Sequence, residues 1–176
     1  MKWDDLMGYL RHYKPTSVEL RMSESLRKHG ITQPSQLETE KIQIAYRVLV
    51  MEMDFPSANF GPFGIVMAKG LRGEEYKSVF FHEFAHWLGH SGNQSQMSKQ
   101  QKLAQELQAE QMSLYLRIPL HMLDLVDFSS DDCIIEIADT FGVPVNLAKQ
   151  RLKKIKDNVL CHYNNNLEVL KANTIL

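Results

Sequence analysis

The stretch Phe81-His82-Glu83-Phe84-Ala85-His86 decides how this chain is read. It spells His-Glu-x-x-His. On a helix, residues four apart share a face, so His82 and His86 can hold one metal ion between them. Glu83 projects beside them, where a carboxylate can take a proton from a water attacking a polarised carbonyl. The motif is short enough to arise by chance, so the surrounding sequence has to carry the assignment.

Val79, Phe80, Phe84, Trp87 and Leu88 are apolar around the motif and would bury its helix, lowering the dielectric near a metal. Ordinary core packing would place them the same way. Gly70 and Gly73 break the chain before this helix, which is expected over about 74–88, with Glu74 and Glu75 favouring its positive end. Phe63 to Ala68 reads as a strand beside it, offering an edge onto which an extended substrate can pair. Residues 42–53 alternate apolar side chains at Ile42, Ile44, Tyr46, Val48 and Val50, which suggests a strand, with a helix left open for the first half. Helices are expected over 1–14 and 17–29, interrupted at Pro15 and closed by Gly30, followed by a turn from Ile31 to Gln36.

Downstream, Ser98 and Gln101 form a capping-box pattern that opens a helix to about Arg117, ahead of Pro119. A helix pair follows over 131–141 and 145–157, joined at Gly142-Val143-Pro144. The last stretch, with Asn164 to Asn166, is expected to fray. The fold class is α+β, dominated by helices, with a small β-sheet beside the motif helix.

A catalytic zinc takes three protein ligands and keeps a fourth position open. The pattern HExxHxxGxxH would supply a third histidine, and Gly89 suits it, but its final position is Gly92, which excludes that class. His90 lies four residues past His86 and would drift off the metal unless Gly89 ends the helix. Glu106 falls twenty residues after His86 on the next helix, a spacing similar to that of thermolysin-like zinc peptidases. Glu110 lies one turn further, where a carboxylate can accept the free ring N–H of a ligand histidine or serve as the fallback ligand. Ala109 leaves room between the helices. A second donor for the developing oxyanion is open among His90, Tyr115 and His121. The metal expected is zinc, one per chain, because nitrogen and oxygen ligands with an open position favour it.

The 176 residues suffice for one compact unit with a real core, and 20 basic against 21 acidic residues create no general field for nucleic acid. Lys149, Arg151, Lys153, Lys154 and Lys156 form the one local basic excess, read as a solvated helix face. Two cysteines without CxxC spacing suggest free thiols, the first residues lack a signal-peptide core, and no apolar run spans a membrane. A cytoplasmic protein is expected, which argues against a secreted digestive protease.

Three blocks in order resemble the ImmA/IrrE family of zinc metallopeptidases: HEFAHWLGH (82–90), ELQAEQMSLYLRIP (106–119) and EIADTFGVPVNLAKQRL (136–152). Together they cover roughly 63–155; before that, only LRKHGITQPSQLE matches, loosely. Glu110 stands where the family often has Asn, Met112 replaces Phe, and Arg117-Ile118 replaces Leu-Met. The resemblance implies a zincin-like core, His82, His86 and Glu106 as ligands, and Glu83 as catalytic base. It implies a zincin-like domain over 1–125 and a helical region over 126–176 packed on it. Family members typically cleave a helix-turn-helix repressor, often encoded next door on a mobile element or stress regulon. FHEFAHW and ELQAE also resemble the peptidase domain of ArdC-type antirestriction proteins, whose DNA-binding domain needs more chain than this.

The final helix pair is similar to a helix-turn-helix, with Ala138, Gly142 and Val143 at its turn and Asn146 and Gln150 on the second helix. DNA contact through 145–156 is therefore weighed against simple packing of Ile134, Ile137, Phe141, Leu147 and Leu152 onto the domain, which is favoured. The sequence reads as an endopeptidase acting on a protein substrate, with a DNA-binding repressor as the expected partner. Two rivals are a metallopeptidase of phage or plasmid conflict, as antirestriction factor or toxin, and a non-catalytic zinc-stabilised binding module.

Overall fold

The computed structural model describes residues 12–89 and 97–173, with 164–173 described as backbone. Helix α1 (Ser17–Lys28) starts from a reciprocal cap: Thr16 Oγ1 accepts the Glu19 N–H, and the Glu19 carboxylate accepts the Thr16 N–H. The expected helix over 1–14 lies largely outside the described residues, and 13–16 are non-helical.

The first half of the 42–53 segment is helical, as α2 (Thr39–Tyr46), and only β1 (Val50–Met53) is strand. The cause is a shared spacing. Ile42 and Tyr46 are four apart, which fits alternation and a helix face equally. Ile44 distinguishes the two, and it is 77% exposed while Ile42 and Tyr46 are buried. The apparent alternation was therefore a helical face plus one exposed isoleucine.

Two further strands, β2 (Ala58–Asn59) and β3 (Ile65–Ala68), complete a sheet of order β1-β3-β2. β1 runs parallel to β3, with Val50 opposite Ile65, and β2 runs antiparallel, with Asn59 opposite Ile65. The segment expected to offer an edge is thus the central strand, paired on both sides. Its unbroken apolar run has this origin, since Ile65, Val66 and Met67 are all buried. Gly64, at φ 126°, lets the chain enter β3, because a Cβ there would lie 2.1 Å from the Leu49 carbonyl oxygen.

Helix α3 (Gly73–Gly89) carries the motif and packs against β3 and β2. Phe80, Phe81, Phe84 and Ala85, at fourfold spacings, form its buried side, and Tyr46 meets the Phe84 ring edge-on at 4.9 Å. Helix α4 (Lys99–Arg117) opens with the expected capping box: Ser98 Oγ accepts the Gln101 N–H, and Gln101 Oε1 accepts the Ser98 N–H. Helices α5 (Cys133–Phe141) and α6 (Val145–Asn173) follow, joined through Gly142 in a left-handed conformation. α6 continues well past 157, and the three asparagines expected to fray lie within it.

The basic cluster on α6 is not uniformly solvated. Lys149, Lys153 and Lys154 are exposed, but Arg151 is fully buried. Its Nη2 donates to Glu19, which also accepts the Tyr13 hydroxyl, and its Nε donates to the Ile118 carbonyl. Its guanidinium lies over the Tyr115 ring, 4.9 Å from the centroid. One apolar core runs from Met22 on α1 to Val159 on α6. Cys133 and Cys161 are free thiols, and no described helix is long and apolar enough to cross a membrane.

Candidate metal centre

The site depends on the register between α3 and α4, which pack together along their length and are joined at one end by an ion pair. Arg117, at the end of α4, donates to both carboxylate oxygens of Glu74 in the first turn of α3, at 2.8 and 3.0 Å. The helices run antiparallel from this clasp. His82 and His86 lie eight and twelve residues along α3, about 12 and 18 Å, and Glu106 lies eleven residues back along α4, about 16 Å. Glu106 therefore arrives opposite the two histidines. Arg117, a departure from the family pattern in sequence, is buried and also lies over the Phe81 ring.

Three side-chain atoms converge there. His82 Nε2 and Glu106 Oε2 are 3.1 Å apart, His86 Nε2 and His82 Nε2 3.2 Å, and His86 Nε2 and Glu106 Oε2 3.3 Å. Among the described residues this is the one group of three or more potential ligands close enough to hold a metal ion. Donors around a tetrahedral zinc, at bonds of about 2.0–2.1 Å, stand about 3.3 Å apart. The nearly equilateral triangle fits that edge, and two imidazoles with one carboxylate form a suitable donor set that leaves a fourth position open. His86 is buried, His82 is partly exposed and Glu106 is half exposed, so the open side faces solvent.

Glu83 lies half-buried beside the cluster. Burial pushes its carboxyl pKa up, and Glu106 adds to this, while His82 and a hydrogen bond from the Asn59 backbone partly oppose the shift. Nothing in the sequence signalled Asn59, because its contribution is a main-chain N–H of β2 and not its side chain. A cleft of about 780 Å³ opens from His82 and Glu83.

The other candidates fall elsewhere. Glu110 lines this cleft and does not join the triangle. Tyr115 is buried away from it; its hydroxyl accepts from Gln111 and its ring lies under Arg151, so it offers no donor at the cluster. Nine residues past Glu106, it occupies the opposite face of α4. His121 bonds Ser23 Oγ through Nδ1 at 2.7 Å and donates through Nε2 to the Ile31 carbonyl, a packing role. His90 lies outside the described residues.

Residues 63–153, which contain the cluster, match the model of the IrrE N-terminal-like domain, a peptidase family. The chain belongs to this family. The phage-like element PBSX protein XkdA of Bacillus subtilis (strain 168) is 31% identical over 128 residues, 70% of this chain. The match spans 65% of that relative's length. No solved structure matches the chain. The helix-dominated α+β fold with a small sheet agrees with a zincin-like core.

Proposed function

We propose that the chain is a zinc-dependent endopeptidase, with His82, His86 and Glu106 as ligands and Glu83 as general base. The observation that carries this reading is the donor triangle on two clasped helices, with a carboxylate of raised pKa beside it. A zinc ion held there supplies a Lewis acid that polarises the scissile carbonyl and acidifies the attacking water. Glu83 accepts the water's proton as the new C–O bond forms and delivers it to the nitrogen as the C–N bond breaks. Its partial burial favours that shuttle, since a carboxylate of raised pKa holds the transferred proton more readily.

The substrate is a helix-turn-helix repressor encoded beside the peptidase. Two things support this choice: the resemblance to ImmA/IrrE peptidases and the relative from a phage-like element. The partly apolar cleft suits a polypeptide. Incubating the zinc-loaded protein with the neighbouring helix-turn-helix protein tests it. Two fragments whose masses sum to the intact repressor plus one water are expected, and none after chelation. An intact repressor in both samples contradicts the assignment.

A further inference from the structure

Asn146, Gln150 and Lys154 share the cleft of His82 and Glu83, although α6 resembles a DNA-reading helix in sequence. We propose that these three residues bind the substrate polypeptide beside the scissile bond, with Lys154 selecting an acidic side chain. The inference rests on the peptidase reading and adds a specificity site to it.

Positions 146, 150 and 154 are successive fourfold steps, so they form one stripe that drifts by about 80° over about 12 Å of helix. An extended chain covers that length with about three or four residues. The core side of α6 is formed by Ala148, Arg151, Leu152 and Ile155, all buried, which leaves this stripe for the cleft. A DNA-recognition helix must project into a groove about 12 Å wide. This stripe instead forms a wall of a cleft that α3 and α4 also line. The amides of Asn146 and Gln150 offer both donors and acceptors, as peptide backbone requires.

Charge selects the occupant. The other cation lining the cleft, Arg117, is held by Glu74, and the neighbouring Lys153 by Asp157. Lys154 has no such bond to any described residue and is exposed. With the proposed zinc offsetting Glu83 and Glu106, Glu110 is the remaining charge on the α3–α4 side, so Lys154 on α6 is the group that meets a negatively charged side chain.

The test uses full-length Glu83→Gln protein on an array of immobilised random-sequence peptides, reading capture independently of hydrolysis. Captured peptides should favour Asp or Glu over Lys or Arg at one fixed place by about three- to tenfold. Adding Lys154→Glu should reverse that preference, whereas adding Gln150→Ala should weaken capture and leave the preference unchanged. The same preference with and without Lys154→Glu, or no capture at all, overturns the proposal. So does binding of duplex DNA that Lys154→Glu abolishes while the peptide profile stays constant. Reversal in a protein whose wild type cleaves nothing would sink the peptidase reading and leave the subsite standing. Cleavage by the wild type with an unreversed preference does the opposite.

Discussion

Glu106 Oε2 lies 3.1 Å from His82 Nε2, although 24 residues separate them along the chain. Neither helix alone holds this relationship. It follows from the packing of the two helices against each other, which the Glu74–Arg117 ion pair joins at the far end through a nearly buried guanidinium and a half-exposed carboxylate. With Glu106 on a second helix as the proposed ligand, zinc affinity becomes a reporter of helix register.

Glu106→Gln is expected to lower zinc affinity by about a hundredfold or more, measured by competition with a chromophoric chelator. Glu110→Gln and His90→Ala should each cost less. A larger loss from either of these would replace Glu106 in the ligand set.

The buried pair of Arg151 and Glu19 gives a stability prediction. Arg151→Met leaves the Glu19 carboxylate buried without its cation and should destabilise the fold by about 3–5 kcal/mol in urea unfolding. Adding Glu19→Gln, which keeps an acceptor for Thr16 and Tyr13, should recover much of that loss, because the cost lies in the orphaned charge rather than in missing attraction. Additive losses would show that the pair contributes mainly through packing.

His121 links stability to pH. Burial lowers its pKa below 6.5, with Arg27 acting in the same direction and the bond to the Ile31 carbonyl opposing it. A depressed histidine binds its proton more readily when unfolded, so stability is full above about 6.5 and is lost as pH falls toward the folded value. Protonation also fills Nδ1, which accepts from the Ser23 hydroxyl in the neutral tautomer. The melting temperature should therefore fall between neutral pH and the region below 6.5, and His121→Gln should flatten that part of the decline. An identical decline in the variant would exonerate His121.

Much of the site was legible because helical spacing is a local property. Two histidines four apart and a glutamate on a capped following helix can be read without a fold, and the Ser98–Gln101 cap marks where that helix begins. The hinge at Gly142 was equally plain. What stayed hidden depends on distant partners. Arg151 looks like one lysine-like charge among several until Glu19, 132 residues away, is placed against it. Asn59 acts through its backbone, whereas the nine-residue spacing from Glu106 already puts Tyr115 on the opposite helix face, and only its stacking under Arg151 needed the fold. Ile42, Ile44 and Tyr46 satisfied two periods at once, and tertiary burial decided between them.

In the proposed mechanism Glu83 moves protons and does not hold the metal. The most direct test of that role is a single sample of Glu83→Gln, assayed by elemental analysis for zinc and by mass spectrometry for cleavage of the co-expressed neighbouring repressor. One zinc per chain and an uncut repressor are expected, beside complete cleavage by the wild type. Repressor fragments in the zinc-loaded Glu83→Gln sample would contradict that role.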